Sequence, residues 1–250
     1  MTNQSKTVLI TGASSGLGAG MAREFAARGY NLALCARRTE RLQELKGELC
    51  GAFGVRVEVS ALDVNDHEKV FATFGEFVQM FGRLGRIIVN AGIGEGRRIG
   101  TGHFATNLRT AETNFVAALA QCEAAVEIFR SQNGGHLVVI SSMSAKRGLP
   151  RHLTAYAASR AAVAHLAEGI RAELLNSPIK VSTLFPGYIR TELNAAAKKL
   201  PFEVPEDLGC QYMVRAIERE PDEACVPGWP WAFVGVLMQA LPLGWVARFN

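Results

Sequence analysis

Tyr156 and Arg160 stand four residues apart, and Ser142 lies fourteen residues before the tyrosine. Residues four apart share one face of a helix, so a phenol and a guanidinium at these positions are neighbours if the stretch is helical. A fixed cation beside a phenol favours the phenolate, and a phenol that can give up and regain its proton is a general acid/base. A serine hydroxyl brought close could hydrogen-bond a carbonyl oxygen and share its developing negative charge. Proton exchange at a carbonyl or alcohol oxygen is the chemistry that this trio could carry. Taken alone, the tyrosine and arginine fit plain packing on an amphipathic helix equally well.

The second chemistry-bearing group is the run Val8-Leu9-Ile10-Thr11-Gly12-Ala13-Ser14-Ser15-Gly16-Leu17-Gly18, an apolar strand passing into a glycine-rich turn and then a helix. Gly12, Gly16 and Gly18 permit a tight turn and close backbone approach, while the N–H groups from Ser14 to Leu17 and the positive helix end favour a pyrophosphate. A strand before and a helix after distinguish such a phosphate cradle from a simple turn. Roughly twenty residues further on, an acidic side chain would hold the ribose 2′-hydroxyl of NAD. Arg37 and Arg38 stand there instead. Paired cations suit a 2′-phosphate through charge-assisted contacts, which predicts NADP(H) in preference to NAD(H). Asp63 could accept from an adenine amino group or cap a helix. Asn90-Ala91-Gly92 supplies small residues where a cofactor or another backbone segment comes close.

Positioning these groups requires a scaffold, and the apolar pattern supplies one. Thr7–Thr11, Asn31–Ala36, Val55–Ala61, Arg86–Asn90, His136–Ser141 and Lys180–Phe185 read as six buried strands. Gly18–Arg28, Glu40–Leu49, Asp66–Phe81, Thr110–Arg130 and Thr154–Asn176 carry helical spacing between them. This alternation predicts an α/β fold, a Rossmann-type doubly wound parallel sheet with helices on both faces, as a single domain spanning 1–250. After Phe185 prolines and glycines multiply, and residues 186–250 read as loops and short helices that enclose a substrate. The 250 residues, 48% hydrophobic and 20% charged, describe a globular chain with a substantial core. A net charge of +4 is too mild to suggest a nucleic-acid partner. The five cysteines are scattered without a Cys-x-x-Cys spacing, so neither a disulfide framework nor a zinc site is expected. Together with the polar stretch Met1 to Lys6, which lacks a secretory pattern, this predicts a cytoplasmic protein.

In order and content these motifs resemble the short-chain dehydrogenase/reductase family from Thr7 to about Thr191. The resemblance rests on Thr11-Gly12-x-x-x-Gly16-x-Gly18, Leu62-Asp63-Val64, Asn90-Ala91-Gly92, Asn114, Ile140-Ser141-Ser142, Tyr156-Ala157-Ala158-Ser159 and Pro186-Gly187. It implies that Ser142 orients the substrate carbonyl, Tyr156 exchanges the proton and Asn114 supports a proton-relay water. Pro186, Gly187, Ile189 and Thr191 would line the nicotinamide end, and the long helices would build a homodimer or homotetramer. Two features depart from the family. Arg160 stands where the family has a lysine that bonds the nicotinamide ribose and favours the tyrosinate; its longer planar fork is not equivalent at a fitted site. The interval from Ser142 to Tyr156 is one residue longer than usual, which leaves Ser144 as a second candidate hydroxyl.

Between Pro227 and Ala247 no side chain is charged, and Trp229, Trp231, Phe233 and Trp245 lie among aliphatic residues. This stretch reads as a hydrophobic lid over the substrate crevice or an oligomer contact, with an interfacial helix resting on a lipid surface as the other reading. Either way an apolar substrate is expected. The leading expectation is an NADP(H)-dependent carbonyl reductase or alcohol dehydrogenase. The competing one is a cofactor-binding protein whose catalysis is weakened by Arg160.

Overall fold

A computed structural model describes residues 6–194 and 200–246, with nothing said of the Leu193 side chain. Seven strands form one parallel sheet in the order β3-β2-β1-β4-β5-β6-β7. They are β1 (Thr7–Thr11), β2 (Asn31–Ala36), β3 (Val57–Ala61), β4 (Arg86–Val89), β5 (Gly135–Ile140), β6 (Ile179–Pro186) and β7 (Glu223–Val226). The helices are α1 (Gly16–Ala27), α2 (Thr39–Phe53), α3 (His67–Phe81), α4 (Phe104–Ala111), α5 (Ala117–Ser131), α6 (Thr154–Glu173), α7 (Glu206–Glu218), α8 (Gly228–Ala240) and the single turn α9 (Leu243–Val246). The chain winds outward from β1 to β3 and then crosses to β4 on the other side of β1. The C-terminal ends of β1 and β4 therefore flank the point where a crevice opens in such sheets.

Two apolar layers follow from the period of two along each strand. Val8 and Ile10 face one layer with Met21, Phe25 and Met213, whereas Leu9 faces the other with Phe74, Phe77 and Phe129. Helix α1 lies so close to α7 that a Cβ on Gly20 would come within 2.3 Å of Cys210 Sγ. Helix α3 starts at His67 because the Asp66 carboxylate accepts from the Lys69 N–H at 3.1 Å. Asp63, the expected cap candidate, instead accepts from the backbone and side-chain nitrogens of Asn65, both at 3.0 Å.

The expected six strands are one too few, and the tail is not confined to loops and short helices. Helix α7 and strand β7 continue the strand-helix-strand pattern beyond β6. Strand β7 escapes the apolar-run criterion because it is a four-residue edge strand, exposed at Glu223 and buried only at Val226. The long helix expected over Thr110–Arg130 is split into α4, a π-helical turn over Glu112–Val116, and α5.

One polar network is sunk within the sheet. Arg86 Nε donates to His136 Nδ1 at 2.8 Å, and the Arg86 guanidinium also pairs with Glu220 at 3.0 Å. A donor at Nδ1 leaves the imidazole proton on Nε2, which faces Ser182 Oγ at 2.8 Å. Ser182 in turn donates to the Pro221 carbonyl. Burial first, and the Arg86 charge second, hold His136 well below the usual histidine range, so the ring is neutral.

Candidate active site

The glycine-rich turn sits at the switch point between β1 and β4. Gly12 and Gly16 have φ of +65° and +51°, a region that favours glycine. A Cβ on Gly12 would stand 2.9 Å from Ala91 Cα, and one on Gly18 would stand 2.3 Å from the Gly12 carbonyl oxygen. The turn after β1 is thus pressed against the turn after β4. Thr11 Oγ1 accepts from the N–H groups of Asn90 and Ala91 at 3.1 and 3.0 Å, and Asn90 Nδ2 donates to the Thr11 carbonyl at 2.8 Å. Asn90 and Ala91 therefore fasten the two strand ends together.

Helix α1 begins at Gly16 without a side-chain cap from Ser15 and without an acidic residue in its first turn. Its leading N–H groups are left for an anion. Arg38 reaches this turn: its Nε donates to Ser14 Oγ at 3.2 Å and its Nη2 to Ser15 Oγ. Arg37 is exposed and has no side-chain partner among the described residues. The two arginines expected to act as a pair differ in placement, one tied to the turn and the other projecting into solvent. A phosphate-bearing nucleotide fits the uncapped helix end and the arginine and serine donors beside it.

Helix α6 begins at Thr154, which places Tyr156 in its first turn, and Arg160 lies one turn below. Arg160 Cζ lies 5.4 Å from the centre of the Tyr156 ring. Arg160 is only 7% exposed; its Nη1 donates to the Ile140 carbonyl at 3.2 Å and its buried Nε has no partner among the described residues. The guanidinium passes over Gly92, where a Cβ would come within 2.2 Å of Nη2. Gly92 thus gives the arginine its room. Helix α6 is tied to the sheet because Ser141 Oγ donates to the Arg160 carbonyl at 2.8 Å.

Ser142 accepts from the Ser144 N–H at 3.2 Å and donates to no acceptor among the described residues. The other candidate, Ser144, has a buried hydroxyl without a partner among the described residues. Asn114 is fully buried within the π-helical turn. Its Oδ1 accepts from the Ile93 N–H at 2.8 Å, and its Nδ2 donates to the Ile93 carbonyl at 2.9 Å and to Ser159 Oγ at 3.2 Å. Its side chain thus braces the backbone at Ile93 and the hydroxyl of Ser159. The Ile189 side chain packs into the core against Gly209. Thr191 does come to the phosphate turn, 3.4 Å from where a Cβ of Gly16 would lie. Val64 is buried in the core, and Asp63 stays exposed.

Three residues in this region were not singled out as site residues from the sequence. Trp231 of α8 lies over Gly187, so closely that a Cβ there would fall 2.1 Å from the indole. Tyr188 meets the same indole edge-on at 5.3 Å, and its phenol is pushed up by burial first and by the neighbouring Tyr156 second. Glu192 pairs with Arg38 and Arg41. The charges and the aromatic content were visible in the sequence, but the meeting of Glu192 with arginines more than 150 positions away, and of Trp231 with Tyr188, was not. The C-terminal helix combines two surfaces. Trp231 and Gly235 are buried against Gly187 and Met143, while Trp229, Phe233 and Val236 face outward at 78%, 59% and 66% exposure. No helix among the described residues is long and apolar enough to cross a membrane.

A doubly wound parallel sheet with a glycine-rich turn at its switch point defines a dinucleotide-binding fold class. Within that class, the profile of the short chain dehydrogenase family matches residues 6–200, and the chain belongs to that family. An uncharacterized oxidoreductase of Mycobacterium tuberculosis (strain ATCC 25618 / H37Rv) is 51% identical over 243 residues, covering 97% of this chain and 96% of the relative. Among solved structures, a short-chain dehydrogenase from Sphingobium yanoikuyae in complex with NADPH has a TM-score of 0.80 at 30% identity, covering 94% of this chain and 96% of that one. A family member from Burkholderia phymatum in complex with NAD has a TM-score of 0.83 at 21% identity, covering 95% and 93%, and shares the fold. The protein is an oxidoreductase of the short-chain dehydrogenase type.

Proposed function

We propose that the protein transfers hydride between NADP(H) and the carbonyl/alcohol pair of an apolar small molecule, with Tyr156 as acid/base. The observation that carries the reading is the buried Arg160 guanidinium held beside the Tyr156 ring and tied to the carbonyl of Ile140, two residues before the Ser142 hydroxyl. In the reducing direction a bound nicotinamide would supply the hydride for the carbonyl carbon. Ser142 donates a hydrogen bond to the carbonyl oxygen as charge builds on it, and Tyr156 delivers the proton that completes the alcohol. Arg160 keeps a positive charge beside the phenol, and its guanidinium would hold a cofactor ribose hydroxyl. A turn that changes from α to π bonding leaves a main-chain carbonyl without its usual donor. Near Asn114 such a carbonyl suits a relay water, with the amide side chain bracing the turn. Arg38 favours NADP(H) because it joins the Ser14 and Ser15 hydroxyls in a cationic cluster suited to a 2′-phosphate. Trp231, Tyr188 and Met143 argue for an apolar substrate, and the outward face of α8 argues for burial against a second copy in a dimer or tetramer.

The test is NADPH and NADH consumption across apolar ketones, aldehydes and quinones, with Tyr156→Phe beside the unmodified protein. Loss of about two to four orders of magnitude in kcat, with NADPH binding retained, is expected for removal of a general acid/base. Equal turnover by both proteins would remove Tyr156 from the chemistry. The Arg160 geometry also favours a second reading, a cofactor-binding protein with slow turnover. A large gain on Arg160→Lys would select that reading, and little change would show the arginine competent.

A further inference from the structure

Residues Ile189 to Asn194 form a compact strap across the phosphate turn. Asn194 secures it internally, accepting from the Thr191 N–H at 2.9 Å and donating to the Ile189 carbonyl at 2.9 Å. Thr191 then rests against Gly16, and Glu192 projects toward the start of α2. There each carboxylate oxygen takes a different guanidinium: Oε1 accepts from Arg41 at 2.6 Å and Oε2 from Arg38 at 3.2 Å. The same Arg38 fork holds Ser14 and Ser15. A hollow of about 300 Å³ opens beside this cluster, lined by Ser14, Ser15 and Arg41 and also by Glu44, Glu48 and Glu206.

We infer that Glu192 is the resident counter-anion of the 2′-phosphate site, that NADP(H) displaces it from Arg38 and Arg41, and that Arg41 is a further determinant of cofactor choice. The inference rests on the proposed preference for NADP(H). A carboxylate held between two guanidiniums occupies the donors that a 2′-phosphate needs, and a phosphate brings more charge and one more acceptor oxygen to replace it. The neutral 2′-hydroxyl of NAD(H) has no charge with which to make that exchange. Hydrogen bonds from Arg41 first, and then from Arg38, hold the Glu192 carboxyl below the usual carboxylate range, so the group displaced is the anion. All three side chains are roughly half exposed, which sets the pairs at the weak, exchangeable end of ion pairing.

Direct binding of adenosine 2′,5′-bisphosphate and adenosine 5′-monophosphate, by calorimetry at low ionic strength, tests this without a substrate. Glu192→Gln is expected to tighten the bisphosphate roughly three- to tenfold and to leave the monophosphate unchanged, as loss of weak surface pairs predicts. Arg41→Gln is expected to weaken the bisphosphate by a similar factor, again sparing the monophosphate. Unchanged or weaker bisphosphate binding by Glu192→Gln would overturn the inference, since a displaced competitor must help when it is removed. If the unmodified protein itself binds both probes equally, the NADP(H) reading fails first and the competitor role goes with it. A thermal midpoint for each variant confirms that the fold is intact.

Discussion

Replacing Gly92 by alanine tests the placement of Arg160 most directly. The backbone at Gly92 is outside the left-handed region, so the cost of a methyl group there comes from its neighbours and not from φ. The added Cβ would lie 2.2 Å from Arg160 Nη2 and 3.0 Å from both Arg160 Cζ and Asn114 Oδ1. Carbon and nitrogen atoms rest at about 3.5 Å, so the guanidinium has to retreat by more than about 1 Å. Overpacking of this kind costs about 1–3 kcal/mol, or roughly 2–10 °C in Tm for a chain of this size. A displacement of about 1 Å beside the reacting groups costs on the order of a hundredfold in rate. Arg160→Lys removes the terminal nitrogen that would be struck. The Gly92→Ala penalty should therefore shrink by at least about 1 kcal/mol in the lysine background, a coupling read from a double-mutant cycle. The assays are thermal unfolding and NADPH binding for all four proteins, with kcat added once a substrate is found. If the two substitutions add independently in every readout, Arg160 does not lie over Gly92 and the site geometry argued from it is wrong.

Arg38→Gln should lower the ratio of NADPH to NADH affinity by roughly tenfold, read by fluorescence titration, because it removes a charge-assisted partner of the 2′-phosphate; an unchanged ratio removes Arg38 from cofactor choice. His136 makes stability sensitive to acid. Its folded-state pKa is depressed, so below about pH 6.5 the unfolded chain takes up a proton that the folded chain refuses. Stability should fall with decreasing pH by up to about 1.4 kcal/mol per unit through this group alone. Urea midpoints between pH 8 and 5 should show a shallower decline in His136→Gln, and parallel curves would refute the assignment. Phe74→Ala empties a fully buried position in the layer under α3 and should cost about 3–5 kcal/mol in chemical unfolding.

The sheet, its winding and most of the helices could be read from apolar periodicity, because each buried strand needs several consecutive hydrophobic residues. Strand β7 could not, since an edge strand of four residues buries too little to leave that mark. The interruption at Asn114 was hidden as well: Thr110 to Arg130 keeps helical spacing through the π turn, and only the three-dimensional bonding separates the pieces. At the site, Tyr156, Arg160, Ser142 and the glycine turn were legible because their spacing is local. Arg37 and Arg38 were indistinguishable as neighbours, yet one binds the turn and the other does not. For Asn114 and Ile189 the motif names a position and not a side-chain direction; packing turns the two side chains toward Ile93 and Gly209. Trp231 over Gly187, and Glu192 between two arginines, depend on contacts between distant segments that no short window contains.

Adjacent serines at the end of β5 divide their work. Ser141 rivets the Arg160 carbonyl to the strand end, and Ser142 opens the turn that follows. Both ends of the stretch between Ser142 and Tyr156 are therefore anchored, and Arg147, midway along it, leans out to the Gln239 and Leu241 carbonyls. An extra residue in that stretch has room to be taken up on the outside, where Arg147 already reaches the C-terminal helix. The loop can consequently vary in length and lining as a module of its own, while the strand end and the helix that flank it stay pinned through Ser141.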